Sequence, residues 1–191
     1  MDELADYEIL LGITGGIAAY KSAGLCSQLV QRQASVTVAM TAHAQQFVGK
    51  LTFSTLSGRE VYADLFETPE VYDAKHIDLT RQADLIVVAP ATANFIAKLA
   101  NGICDDLLTT LICSTDSQVL LAPAMNCRMW SHPATVRNIE QLRRDGCQII
   151  GPESGSLACG DVGEGRMAEP EDILDRIIKI VSSQKPKKLT R

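Results

Sequence analysis

The stretch Asp84-Leu85-Ile86-Val87-Val88-Ala89, followed by Pro90-Ala91-Thr92-Ala93-Asn94, decides how the fold is read. A continuous apolar run of this length, with no polar alternation, is typical of a central strand in a parallel sheet covered on both faces. Working outward, residues 9–13 and 36–40 read as strands. The first is followed by a Gly turn and an amphipathic helix from about residue 17 to 31, the second by a helix across 44–48. Residues 51–74 hold a short helix and an edge strand near Val61-Tyr62. After the central strand come helices over about 93–99 and 105–113, a strand at 119–122, and a helix around 134–144 that ends at Gly146, a left-handed cap. A strand at 147–150 and a closing helix at 171–181 complete the pattern. Strands separated by helices imply right-handed crossovers, hence a single Rossmann-like (flavodoxin-like) three-layer α/β domain with a parallel sheet. It spans residues 1–181, with 182–191 as a tail or interdomain linker. The Gly-rich piece 151–168, with Gly151, Gly155, Gly160, Gly163 and Gly165, reads as one long irregular loop, a mobile lid over a site.

With 191 residues, 46% hydrophobic and 21% charged, the chain is long enough to bury such a sheet. The formal charge of −5 and the lack of a basic stripe interleaved with aromatics argue against a nucleic-acid partner. The Lys185-Pro186-Lys187-Lys188 run reads as a solvated tail. The acidic start, Met1-Asp2-Glu3-Leu4-Ala5-Asp6, lacks a signal peptide's basic region, and no apolar stretch approaches bilayer length, so a cytoplasmic protein without a membrane partner is expected. Six scattered cysteines form neither a Cys-x-x-Cys pair nor a disulfide framework. No metal site is expected, and most of these thiols read as small buried hydrophobes, with Cys159 as the exception.

The turn Gly12-Ile13-Thr14-Gly15-Gly16-Ile17-Ala18-Ala19-Tyr20-Lys21-Ser22 places Tyr20 where a P-loop needs glycine. Nor does it have dinucleotide-fingerprint spacing, and the second strand ends in Met40-Thr41-Ala42-His43 with no acid for a ribose. What survives is a tight Gly15-Gly16 turn opening a helix whose amides, with Ile17, can bind one phosphate, Thr41 adding a hydroxyl. That suits a mononucleotide such as FMN better than NAD. The same turn also serves as a plain strand-to-helix connection.

Small residues at Pro90 and Ala91 let a flat ring approach the backbone, and Thr92 and Asn94 can reach ring heteroatoms. Lys98 reads equally as helix surface, and Arg128 as a cation for an anionic ligand or as a surface charge. Pro123-Ala124-Met125-Asn126-Cys127-Arg128-Met129-Trp130 follows the fifth strand, at the sheet edge where α/β proteins bind ligands. Asn126 offers a donor and an acceptor without charge, fit for a carboxylate, and fits a helix cap equally well. His76, placed just before a helix, is a base for proton transfer near neutral pH or a capping residue.

Pro-x-Met-Asn-x-x-Met-Trp resembles the signature of the flavin-dependent cysteine decarboxylases, which include the phosphopantothenoylcysteine and lantibiotic peptidyl-cysteine enzymes. Nearly the whole chain shares the resemblance, in order. The Gly-Ile-Thr-Gly-Gly-Ile-Ala-Ala-Tyr-Lys turn matches the family's first turn and His76-Ile77 its histidine motif. Ala89 to Asn94 with Lys98 matches its flavin-contacting segment. Leu157-Ala158-Cys159-Gly160-Asp161 with Gly163, Gly165, Arg166 and Met167 matches its substrate flap.

The resemblance implies a lyase with bound FMN that decarboxylates 4′-phosphopantothenoylcysteine in coenzyme A biosynthesis. The thiol is oxidised to a thioaldehyde by hydride transfer to FMN, CO₂ leaves, and the reduced flavin returns the hydride. It assigns catalysis to His76 and Cys159, the latter as proton donor in the final reduction. Substrate binding falls to Asn126, Met125, Arg128, Ala158 and Gly160. FMN binding falls to Gly15, Gly16, Ile17, Thr41, Pro90, Ala91, Thr92, Asn94, Lys98 and Ala124. A homotrimer or an assembly of trimers is implied as well. The Ala158-Cys159-Gly160-Asp161 flap favours the pantothenoyl substrate over a peptide. The combination of His76 with the Asn126 motif is not that of flavin prenyltransferases, and the acidic tail of phosphatase-binding relatives is absent. A flavin-binding protein without catalysis is the remaining alternative.

Overall fold

The structure, a computed structural model, describes residues 3–64, 75–157 and 160–187, with the side chains of 75–78 left out. Six parallel strands form the sheet in the order β3-β2-β1-β4-β5-β6: β1 (Glu8–Ile13), β2 (Ser35–Met40), β3 (Val61–Tyr62), β4 (Leu85–Ala91), β5 (Gln118–Pro123) and β6 (Gln148–Ile149). The strands alternate cleanly between two cores. Ile9, Leu11, Ile13, Val36, Val38, Leu85, Val87 and Leu120 enter one. Leu10, Ala39, Ile86, Val88, Val119 and Leu121 enter the other. Period-two alternation with apolar residues on both sides is what a doubly covered parallel strand requires.

Helices α1 (Ala19–Gln31), α2 (Lys50–Ser57) and α8 (Pro170–Val181) cover the first face through Leu25, Leu29, Phe53, Ile173 and Ile177. The second face is covered by α3 (Lys75–Gln82), α4 (Ala93–Ala100), α5 (Leu107–Cys113) and α7 (Pro133–Arg144). Gly146, with φ of +92°, follows α7 in the left-handed conformation expected of it. A four-residue helix, α6 (Cys127–Trp130), links β5 to α7.

Several expectations are corrected. The helix placed across 44–48 is a short 3-10 turn, Ala44–Gln46, and α2 begins afresh at Lys50 because Gly49 is extended (φ −73°, ψ 150°). The stretch 151–168 is not an irregular loop. It contains an antiparallel hairpin of β7 (Glu153–Ser156) and β8 (Val162–Arg166), whose facing backbone groups pair with each other. Of the five described cysteines only Cys26 is buried. Cys104 and Cys113 are exposed, on the loop after α4 and at the end of α5, and Cys127 and Cys147 are half-buried.

The carboxyl-terminal segment packs onto the domain as far as Lys187. The Lys187 amide donates to Asp84 Oδ1 at 2.7 Å and its Nζ reaches Ser117 Oγ at 2.7 Å, while the Tyr7 hydroxyl donates to the Gln184 carbonyl at 2.8 Å. Lys187 is therefore tethered at the amino edge of the sheet instead of being solvated. Among the described residues no helix is long and apolar enough to cross a membrane.

Candidate active site

Strand order reverses between β1 and β4, whose crossovers leave in opposite directions and open a crevice at their carboxyl ends. A cavity of about 890 Å³ lies there. One hydroxyl joins its two lips. Thr14 Oγ1 donates to the Pro90 carbonyl at 2.6 Å and accepts from the Thr92 amide at 3.1 Å. Behind it, Ser22 Oγ donates to the Ala89 carbonyl at 2.5 Å, fixing α1 to β4.

The first lip is the turn of Gly15, Gly16 and Ile17, all lining the cavity. A Cβ on Gly15 would stand 2.3 Å from His43 Cβ, so only glycine lets this turn lie against the end of β2. No side chain caps α1 and no acid stands in its first turn, which leaves the positive end of the helix dipole facing the crevice. Thr41 lines the same end, its hydroxyl accepting from the Ala44 amide at 3.3 Å. The second lip is the start of α4. Thr92 caps the helix by accepting from the Phe95 amide, and Thr92, Asn94 and Lys98 all face the cavity.

Lys98 bridges to Asp105 at 2.8 Å and Asp106 at 3.6 Å, and the hydrogen bond to Asp105 pushes its ammonium above the ordinary lysine range. Lys21 and Arg166 also line the cavity, meeting on Glu169 at 2.7 and 2.6 Å. The Lys21 hydrogen bond holds that carboxyl below its usual value. Three cations thus border a cleft whose walls are otherwise mostly apolar.

The far wall is the turn after β5. Ala124, Met125 and Asn126 line the cavity, and the Met125 amide donates to the Gly165 carbonyl at 3.0 Å. A Cβ on Gly165 would lie 2.2 Å from the Met125 carbonyl oxygen, so β8 can lie flat on this turn only as glycine. Of the roles left open by its sequence, Asn126 is seen in one, the helix cap, and its amide nitrogen is engaged within the chain. Its Oδ1 accepts from the Arg128 amide at 2.8 Å, capping α6, and its Nδ2 donates to Asp161 Oδ2 at 3.2 Å.

The structure thus brings Gly15, Gly16, Ile17, Thr41, Thr92, Asn94, Lys98, Ala124, Met125 and Asn126 to one cavity. It does not bring Pro90, Ala91, Arg128 or Gly160 there. Pro90 and Ala91 are buried inside β4, where a register shift after Val88 carries the strand two residues further than expected. Arg128 is exposed on α6 and Gly160 is exposed just before β8. Ala158 and Cys159 lie outside the described residues. His76 is the second residue of α3 and not ahead of it; its side chain also lies outside them. Because α3 ends just before β4 begins, its amino terminus points toward the carboxyl edge, about 12 Å up the helix.

Sequence reasoning missed Thr14, His43 and the meeting of Lys21 and Arg166 on Glu169, although Arg166 stood in the flap motif. Only the position of His43, three residues past β2, could have flagged it. None of the five described cysteines lines the cavity, and burial pushes the Cys26 and Cys147 thiols up to about 11.

This crevice, with its glycine turn, uncapped helix start and apolar walls, is that of a flavin-binding α/β domain. The model of the family described as Flavoprotein matches residues 1–182, and the chain belongs to that family. The coenzyme A biosynthesis bifunctional protein CoaBC of Bacillus subtilis (strain 168) is 52% identical over 171 residues, 90% of this chain and 42% of the relative. The chain therefore spans less than half the length of that relative. Among solved structures, a PPC decarboxylase variant complexed with pantothenoylaminoethenethiol superposes with TM-score 0.82 at 34% identity, covering 93% of this chain and 99% of that one. The FMN-dependent cysteine decarboxylase SpaF superposes with TM-score 0.81 at 30% identity, covering 94% and 99%.

Proposed function

We propose that the chain is an FMN-dependent carboxy-lyase that converts 4′-phospho-N-pantothenoylcysteine to 4′-phosphopantetheine in coenzyme A biosynthesis. The observation that carries this reading is Asn126. It lines the crevice with its oxygen held at the start of α6 and its amide nitrogen bonded to the carboxylate of Asp161, which supports a site able to recognise a carboxylate. The decarboxylase likeness of the superposed structures supports it.

A cysteine carboxylate resists losing CO₂ because the carbanion left behind has nowhere to place its charge. Bound FMN would supply the sink, as a two-electron acceptor that gives the electrons back at the end of the cycle. The residues present fit that group. The uncapped start of α1, with Gly15, Gly16 and Ile17, would hold the phosphate, and Thr41 would add a hydroxyl. Thr92, Asn94, Lys98 and Ala124 would serve the rest of the cofactor. Met125 forms the apolar wall and Asn126 binds the substrate carboxylate. By the family motifs, His76 assists oxidation and decarboxylation, Cys159 donates the proton in the final reduction, and Ala158 belongs to the substrate flap.

The exposed Ile17 and Tyr20, 61% and 62% accessible beside the cavity, support assembly as a homotrimer or a set of trimers. The same reading makes this a cytoplasmic enzyme, in keeping with the five free thiols among the described residues.

The pure protein should be yellow, with a flavin band near about 450 nm, and should sediment at three times the chain mass or a multiple of it. It should release CO₂ from 4′-phosphopantothenoylcysteine without NAD(P)H, and none from a peptide ending in cysteine. A folded, colourless protein that refuses added FMN overturns the reading. His76→Asn should keep the flavin and lose turnover. Cys159→Ser should release CO₂ but accumulate an oxidised product. Normal turnover by either variant removes that residue from the mechanism.

A further inference from the structure

Asn126 is engaged on both sides of its amide within the chain itself. Oδ1 accepts from the Arg128 amide at 2.8 Å, and Nδ2 donates to Asp161 Oδ2 at 3.2 Å. Asp161 lies just before β8, half-buried, its carbonyl accepting from the Leu157 amide at 2.8 Å. What faces the Asn126 donor is thus a carboxylate on a short side chain. That is the same chemical group that the substrate of the proposed reaction presents to it.

We propose that Asp161 is a specificity-determining residue whose carboxylate occupies the Asn126 donor in the absence of substrate. The substrate carboxylate displaces it, and Asp161 returns when that carboxylate has departed as CO₂. The inference rests on the function proposed above.

Two arguments carry it. Two anions on one amide nitrogen, beside an apolar cleft that screens them poorly, repel each other, so binding has to be an exchange. One charge-assisted hydrogen bond replaces another, and the swap is close to balanced in enthalpy. The decarboxylated product has nothing to offer the amide, and Asp161 reclaims the donor without competition. The site thereby distinguishes substrate from product by the one group that the reaction removes. Little else has to move. The base of β8 is fastened to the turn by the 3.0 Å Met125–Gly165 hydrogen bond and by burial of Met167 and Ala168, so the exchange is confined to the Asp161 end of the strand.

The test uses the flavin-loaded protein and two ligands that lack a thiol and cannot be oxidised. These are 4′-phosphopantothenoylserine, which keeps the carboxylate, and its counterpart without the carboxylate. Dissociation constants are measured calorimetrically for the wild type, Asp161→Ala and Asp161→Asn. Asp161→Ala should bind the serine ligand about tenfold tighter and the descarboxy ligand within about twofold of the wild type. Asp161→Asn keeps a neutral acceptor and should fall between. Unchanged or weaker binding of the serine ligand by Asp161→Ala overturns the proposal, weaker binding meaning that Asp161 orients Asn126 and does not compete with the ligand. A wild type that binds neither ligand overturns the substrate assignment and this inference with it, so the wild-type measurement alone separates the two failures.

Discussion

Asn126→Asp should keep bound flavin and lose decarboxylation by about a hundred- to a thousandfold, the range found when one preorganised donor is removed from an active site. The substitution separates the two roles of this side chain. Aspartate caps a helix as well as asparagine does, so the 2.8 Å bond from the Arg128 amide survives and α6 stays in place. The other half of the side chain changes from a donor to an anionic oxygen. It would face Asp161 Oδ2 across the present 3.2 Å contact and repel any carboxylate brought to the same point. The visible spectrum reports flavin retention, and the initial rate of CO₂ release reports the loss. Wild-type turnover by Asn126→Asp would take the carboxylate-binding role away from this residue.

Gly15→Ala is expected to give protein without flavin. The new methyl would lie 2.3 Å from His43 Cβ and 2.9 Å from the His43 carbonyl carbon, so the β1–α1 turn or the end of β2 must shift. Overpacking of this kind costs about 1–3 kcal/mol, a drop in Tm of a few to roughly ten degrees for a chain of this size. The displaced turn is the one that presents α1 to a phosphate, so FMN affinity should fall by about a hundredfold. Gly16→Ala is the control. Its Cβ meets only Thr92 Cγ2 at 3.4 Å, an ordinary contact, and it should fold and bind flavin much more nearly as the wild type does. Fluorescence titration with FMN distinguishes the two. Equal affinities would mean that the Gly15 approach is not what shapes the phosphate site.

The sheet was legible because its inner strands are dominated by apolar residues, as two flanking helix layers demand, with β4 the longest unbroken run. Even the two-residue edge strand Val61–Tyr62 showed, through its β-prone residues. The hairpin did not. Glu153–Ser156 and Val162–Arg166 carry no hydrophobic alternation, and the glycines that define β8 answer to the Met125 carbonyl and Cys127, more than thirty residues away. Pro90 and Ala91 read as a strand end facing the ligand. The register shift after Val88 instead draws them into the core and hands the rim to Thr92. The cysteines misled because composition predicts burial by residue type, whereas Cys104 and Cys113 sit where α4 and α5 meet solvent. For Asn126 the residue type allowed a cap or a ligand contact, and the geometry revealed the cap together with a bond to Asp161. The acidic partner of its amide, Asp161, was visible in the motif, but nothing local to it announced the contact.

Thr14 has one more consequence. The slabs on either side of the sheet share no side chains, and at the mouth of the crevice a single buried hydroxyl, bonded at 2.6 and 3.1 Å, spans the gap between neighbouring strands. The spacing of the two lips is thus gauged locally, by a rivet of one oxygen atom set just beyond the end of the β1–β4 ladder.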